Sequence, residues 1–234
     1  MQVNRSLRRE LLAKLAGWEW DVALLQEVPP RWLADLQRAT GAVGLRALTS
    51  RNSLGWLRGP IAEWNPDLIR SNEGGSNVIL VRPPARPIAT EVVELATRPE
   101  RRVALLTRLA LPDGRSLVVA CLHLSVPATG QGTAEVRRVA EIASAWADGG
   151  PFVVGGDLNL RPAQHQRAFD ELRAGFGLAA PTGPRSLDHL LVADLETVGA
   201  PVALAAVERE VPGPGGLAIR LSDHAPVMGA FRLR

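Results

Sequence analysis

Apolar positions recur along this chain in two rhythms. Leu7, Leu11, Leu12 and Leu15 fall three and four residues apart, which predicts an amphipathic helix over Arg5–Ala16, stopped by Gly17. Val136, Val139, Ile142, Ala143 and Trp146 share one face of a second helix, over Gln131–Trp146. Pro29 and Pro30 open another that runs to about Ala39, and Pro162–Phe176 reads as a further one. Between these lie short runs of strand length: Asp21–Glu27, Ile88–Ala96, Phe152–Val154, Ser186–Val192, Val202–Val207 and Ala225–Phe231, with Asn72–Arg82 a glycine turn feeding a further strand. Two more runs, Val103–Leu111 and Ser116–Leu124, flank a Pro-Asp-Gly-Arg turn and predict an antiparallel hairpin. Gly41–Asn65 is mixed, with three short strand candidates, and Pro212–Gly216 is a loop. Strands and helices interleave without strict alternation and some neighbours form hairpins. The expectation is one α/β domain spanning 1–234, with mixed sheets rather than a doubly wound parallel one.

Composition narrows the picture. A chain of 234 residues that is 46% hydrophobic can bury a sizeable core. The pI of 10.2 suggests a nucleic-acid binder, but the formal net charge is only +3. With no Tyr and one Cys, little titrates above neutrality, so a small excess of arginine inflates the pI. The charge suits an anionic substrate without indicating a long DNA footprint. Lys14 is the only lysine, so arginine reflects compositional bias and an Arg-rich stretch carries little weight. Cys121, alone in an apolar run, excludes a disulfide framework and reads as a buried structural thiol. The polar N-terminus and the absence of a long apolar run predict a cytoplasmic protein with no stable membrane insertion.

The chemistry gathers at strand ends. Pro151–Asn159 reads P-F-V-V-G-G-D-L-N, a buried strand followed by two glycines and then Asp157 and Asn159. In an extended backbone these two point to one face, and the glycines would admit a ligand to the backbone. A turn capped by Asp157 is the alternative reading. Gln26-Glu27 ends another strand, His123 lies near the end of a third, Asp188 sits in S-L-D-H-L-L-V, and Asp223-His224 in L-S-D-H-A-P-V. Each has a plain reading: Glu27 a solvated strand end, His123 a satisfied core histidine, Asp223 a turn cap. Acids, amides and histidines delivered to several strand ends are also what a shared metal site requires. Oxygen donors without thiolates suit Mg²⁺ or Mn²⁺ rather than Zn²⁺.

Taken in order, L-L-Q-E-V, H-L, G-G-D-L-N, L-D-H-L-L-V and L-S-D-H-A-P-V resemble the endonuclease/exonuclease/phosphatase superfamily, the deoxyribonuclease I-like metal-dependent phosphoesterases. The resemblance implies a four-layer sandwich: two mixed β-sheets packed face to face, with helices outside. It implies Glu27 and Asp223 at a metal, Asp157 orienting or deprotonating the attacking water, and Asn159 donating to a phosphate oxygen. His224 would bond the phosphate, held by Asp188, and His123 would match a second histidine of the deoxyribonuclease and sphingomyelinase branches, with Glu73 a loose candidate as its partner.

The same resemblance implies divalent-metal-dependent phosphodiester hydrolysis by a monomer, with DNA or RNA as the expected substrate. Phospholipid or small phosphate esters, or a catalytically silent binding module on the same fold, are the alternatives. Two departures stand out. The family begins with a strand ending in a metal-binding Asn, whereas here only Met1–Val3 precede Asn4. Either Asn4 serves as ligand or helix N-cap, or the first strand is truncated and the Asn lies upstream, which leaves secretion open. The tyrosine of the abasic-site branch is also missing, which favours the histidine-bearing branches. Asn77, Arg161 and Arg220 are candidate substrate contacts, together with Arg51, Arg58, Arg82 and Arg185. Trp56 and Trp64 could stack on bases.

Overall fold

The computed structural model describes residues 5–49, 75–179 and 181–234. Its centre is a five-stranded sheet in the order β4-β5-β6-β7-β8, formed by Arg86–Ala96, Arg102–Ala110, Ser116–His123, Phe152–Asp157 and Asp188–Ala193. The sheet is mixed: β6 and β7 run parallel and the other pairs antiparallel. The parallel pair needs a crossover, which α3 (Gly132–Ala147) supplies. The hairpin expected around Pro-Asp-Gly-Arg is β5–β6, paired from Ala104↔Leu122 to Ala110↔Ser116.

Each face of this sheet is covered for a reason visible in its residues. Ala104, Leu106, Val118, Ala120, Leu122 and Val154 meet α3 and α4 (Pro162–Phe176), which contribute Val136, Val139, Phe169 and Leu172. The opposite face presents Val103, Leu105, Val119, Cys121, Val153 and Val192 to a second layer. Fully burying one such side chain is worth about 1.5–3 kcal/mol. Apolar residues fill both faces, so β5–β7 read as continuous runs rather than alternating ones.

The second layer has two parts. One is the antiparallel sheet β1-β3-β2, formed by Val22–Leu25, Ser76–Val81 and Val43–Leu48. The other is the ribbon of β9 (Leu195–Ala203) and β12 (Val227–Leu233), whose Leu195, Phe231 and Leu233 join the inter-sheet core. On the outer side of β1-β3-β2 lie α1 (Arg8–Gly17) and α2 (Leu33–Thr40), closed by Leu15, Leu36, Val78 and Leu80. The result is a sandwich of helices, sheet, sheet and helices. A small hairpin, β10 (Glu210–Pro212) with β11 (Ala218–Arg220), precedes the last strand.

Three expectations change. The strand expected at Val202–Val207 is β9, which starts at Leu195 and ends at Ala203, and Ala206–Arg209 forms a 3-10 turn. Exposed Val198 and Val202 and an internal Pro201 hid its period. The first helix starts at Arg8 rather than Arg5, with Leu7 in the N-cap position. Pro30–Trp32 form a 3-10 turn ahead of α2.

Candidate active site

Strand register assembles the polar cluster. His123 pairs with Asp157 across β6–β7, and Asp157 pairs with Asp188 across β7–β8, so three side chains stand in one row at one end of the sheet. Their parity is that of Cys121, Val153 and Val192, which places the row on the face that meets the second layer. The His123 Nε2 lies 3.4 Å from Asp157 Oδ2, and its Nδ1 lies 3.8 Å from Glu27 Oε1, just past the end of β1. His224, in the turn before β12, donates from Nδ1 to Asp188 Oδ2 at 2.7 Å. One ligand atom each from Asp157, Asp188 and His224 lies within 4.8 Å of the others.

Asn159 is held from two sides. Its backbone N–H donates to Asp157 Oδ1 at 2.9 Å, and its Nδ2 donates to the Leu124 carbonyl at 3.0 Å. Asn159 sits in the left-handed region, φ 51°, past the end of β7. The turn reading and the site reading of G-D-x-N therefore coexist: Asp157 caps a turn that aims the Asn159 amide. The pair does not share a face by strand alternation, because β7 ends at Asp157 and Asn159 is not extended. The second amide hydrogen of Asn159 is left for another acceptor.

Burial sets the titration of the row. Asp157 is raised to about 6, chiefly because it is buried, with Asp188 adding to the shift and the Asn159 N–H opposing it. His123 is pushed down to about 3 by burial, assisted by the positive charges of Arg102 and His224, and is neutral in the folded protein. For His224 burial opposes charging, but the bond to Asp188 and the carboxylates of Asp188, Asp157 and Asp223 outweigh it and raise its pKa.

The sequence matches the endonuclease/exonuclease/phosphatase family model over residues 2–224. The chain belongs to that family. No curated protein matches it significantly. Among solved structures, the human nocturnin catalytic domain with bound sulfate is 16% identical, with a TM-score of 0.72 over 100% of this chain and 89% of that one. A Bacteroides thetaiotaomicron mannosyl-6-phosphatase is 15% identical, with a TM-score of 0.70 over 96% and 90% of the two chains. D. rerio TDP2 complexed with a single-strand DNA product is 16% identical, with a TM-score of 0.66 over 96% and 91%. At these identities the likeness is one of fold.

Within this family member, the interior itself requires the glycines of G-G-D. A Cβ on Gly155 would stand 2.8 Å from both Leu24 and Leu190, and one on Gly156, where φ is 128°, would stand 2.1 Å from the Leu122 carbonyl oxygen. Close approach of β1, β6 and β8 demands them. Asn77 is also an interior residue: it is fully buried in β3, donates from Nδ2 to the Val103 carbonyl at 2.8 Å, and leaves its Oδ1 without a partner. Arg82 spends its guanidinium on the carbonyls of Ala16, Trp18, Trp20 and Thr40 and stacks 4.0 Å over Trp20, so it is a tie between elements.

Glu27 is exposed, with φ 57°, and Asp223 is exposed beside His224. Arg161 and Arg185 line a cavity of about 260 Å³ against Asp188 and His224, whereas Arg220, opposite Glu210 in the small hairpin, does not. Asn4, Arg51, Trp56, Arg58, Trp64 and Glu73 lie outside the described residues.

Sequence reasoning missed four participants. Arg209 lines the same cavity, and Arg102, almost buried and paired with Glu100 at 3.1 Å, acts electrostatically on His123 and Asp157. Glu135 is buried and accepts from both the N–H and the hydroxyl of Ser125, two residues beyond His123. His189, buried behind Asp188, accepts the Thr182 N–H and donates to the Leu160 carbonyl. For Glu135 the signal was its place on the apolar face of α3, one residue before Val136. The two arginines carried none in an arginine-rich chain. No helix of the described residues is long and apolar enough to cross a membrane.

Proposed function

We propose that the protein hydrolyses phosphodiester bonds with the help of a divalent metal ion, and that nucleic acid, DNA or RNA, is its substrate. One observation carries this reading: His123, Asp157 and Asp188 stand in register on three hydrogen-bonded strands, with His224 locked to Asp188. The donor set fits a hard cation such as Mg²⁺ or Mn²⁺. It contains carboxylates and imidazole, and two facing carboxylates call for positive charge. The thiol of Cys121 is buried and pushed up to about 12, which removes it as a ligand.

Glu27 and Asp223 would hold the ion, with Asp157 and Asp188 supplying further oxygen donors beside them. When bound, the ion supplies charge relief on the phosphoryl oxygens. Asp157, whose burial makes it more basic than an exposed carboxylate, takes or steers a proton of the attacking water as the new P–O bond forms. Asn159 aims its free amide hydrogen at a phosphate oxygen. His224, charged through Asp188, presents Nε2 to the transition-state oxygens or to the departing oxygen. His123 packs between Glu27 and Asp157 as a neutral ring that spaces the two carboxylates. Among the fold neighbours, the TDP2 structure carries a single-strand DNA product and the nocturnin structure a sulfate, which supports a phosphate-bearing anion as substrate.

The test is hydrolysis of bis(p-nitrophenyl) phosphate with Mg²⁺, with Mn²⁺ and with chelator. Plasmid DNA, single-stranded oligonucleotide, sphingomyelin and a sugar monophosphate are assayed in parallel. Asp157→Asn and His224→Ala are expected to lower metal-dependent turnover by a factor of about 10²–10⁴ while keeping the wild-type circular dichroism. Near-wild-type turnover in both variants would falsify the assignment, and selective hydrolysis of sphingomyelin or the monoester would move the substrate.

A further inference from the structure

The cavity of about 260 Å³ beside the Asp188–His224 pair is lined by three arginines from three separate segments. Arg161 precedes α4, Arg185 lies in the loop ahead of β8, and Arg209 ends the 3-10 turn before β10. Among the described residues none of the three guanidinium groups is paired with a carboxylate, unlike Arg101, Arg115, Arg137, Arg167 and Arg173. Three arginines without carboxylate partners outnumber the two carboxylates in the same lining, Asp188 and Asp223, and give this surface a positive balance. Their fork geometry matches phosphate oxygens.

Arg209 is held in place before any ligand arrives. Its Nη1 donates to the Asp223 carbonyl at 2.5 Å, and its own carbonyl accepts the Leu221 N–H at 2.9 Å. Its Nε is buried without a partner. The turn that carries it is tied to α1, through Trp18 Nε1 to Glu208 and Lys14 Nζ to the Val207 carbonyl, both at 3.4 Å. A side chain fixed in this way loses little freedom on binding.

Asp188, Asp223 and His224 form one wall of the cavity, whereas His123, Asp157, Asn159 and Glu27 do not line it, so it adjoins the reacting phosphate on the side away from Asp157. Its volume is below that of a pocket for a whole drug-sized ligand and suits a single phosphate group with part of its sugar. We propose that this cavity is a subsite for a second phosphate, the one next to the scissile phosphodiester along a nucleic-acid strand, and that Arg161, Arg185 and Arg209 bind it. The proposal rests on the phosphodiesterase reading for which end of the substrate reacts. The subsite itself is read by binding.

Isothermal titration in Mg²⁺ buffer would compare thymidine 3′,5′-bisphosphate with thymidine 5′-monophosphate and fructose 1,6-bisphosphate. The nucleoside bisphosphate is expected to bind at least tenfold tighter than the monophosphate, a gain of about 1.4 kcal/mol. Arg209→Gln and Arg185→Gln should each erase most of that ratio, with circular dichroism confirming the fold. Equal affinity for bisphosphate and monophosphate, or a ratio that survives both substitutions, overturns the subsite. Fructose bisphosphate binding as tightly as the nucleoside bisphosphate supports a second-phosphate site but overturns its assignment to a nucleic-acid strand. A protein that shows the ratio yet hydrolyses no phosphodiester would refute the proposed activity and leave the subsite standing.

Discussion

His189 shows how one residue's burial becomes a property of the folded state. It is 1% exposed, both ring nitrogens are engaged, and Phe169 meets it edge-on at 5.1 Å. Burial, the largest influence, holds its pKa below the ordinary 6.5. Above 6.5 the ring is neutral in folded and unfolded chains alike, and the native state keeps its full stability. As pH falls below 6.5 the unfolded chain takes up the proton first, so stability drops until the folded ring titrates as well. The slope from this one group is at most about 1.4 kcal/mol per pH unit. Asp157 works in the opposite direction: its carboxyl is raised to about 6, so its burial cost is relieved as pH falls through 6. The comparison is therefore with His189→Gln, whose stability by urea unfolding should fall less steeply than wild type between pH 6.5 and 5. Parallel slopes would refute the account. The sequence showed the L-D-H-L run but not which of its two polar residues faces the core, because strand parity alone does not say which face carries the site.

At the scale of elements, the loop after β6 depends on α3. Glu135 reaches from the first turn of α3 to Ser125, with bonds of 2.8 Å to the N–H and 2.6 Å to the hydroxyl. The residue before Ser125, Leu124, offers the carbonyl that orients Asn159, and its own N–H donates to the Asp157 carbonyl. A buried carboxylate clamp on one loop thus steadies the amide of another. Glu135→Ala would leave the Ser125 N–H and hydroxyl buried without acceptors, at a cost of about 3 kcal/mol. Thermal unfolding should show that loss. Under folding conditions kcat should fall several-fold while KM changes little, and Glu135→Gln should restore part of it. A KM effect alone would point away from Asn159 positioning.

At the scale of the whole molecule, the layers are tied as well as packed. Arg82, at the end of β3, gathers carbonyls from the end of α1, the approach to β1 and the last turn of α2. Four acceptors on one buried-edge guanidinium close the outer helix layer over β1-β3-β2. Charge-assisted bonds contribute about 1.5–3 kcal/mol each before they share a donor, so Arg82→Ala should cost about 3 kcal/mol in all. The urea midpoint measures it, and hydrogen exchange should show α1 and β1 opening ahead of β5–β7. Uniform loss of protection across both sheets would contradict a tie confined to the outer layer. Glu27 rides on β1, so this tie also sets how firmly that carboxylate is held beside His123.

Local signals were sufficient for most of the architecture. The period of α3 and α4, the Pro-Asp-Gly-Arg hairpin and the uninterrupted apolar runs of β5–β7 need only neighbours in the chain to be read, because they reflect backbone propensity and two-sided burial. The ordered strand-end motifs brought Asp157, Asp188 and His224 into view for the same reason: each ends a readable strand or begins one. Contacts between distant segments decided the rest. The glycines before Asp157 exist for Leu24 and Leu122, Arg82 is a tie rather than a groove residue, and Asn77 faces the core. The register His123–Asp157–Asp188 and the gathering of Arg161, Arg185 and Arg209 arise only when β6, β7, β8 and the turn at Arg209 lie side by side. Which face a residue turns to, and what it meets there, depends on partners far away in sequence, and only the tertiary packing supplies them.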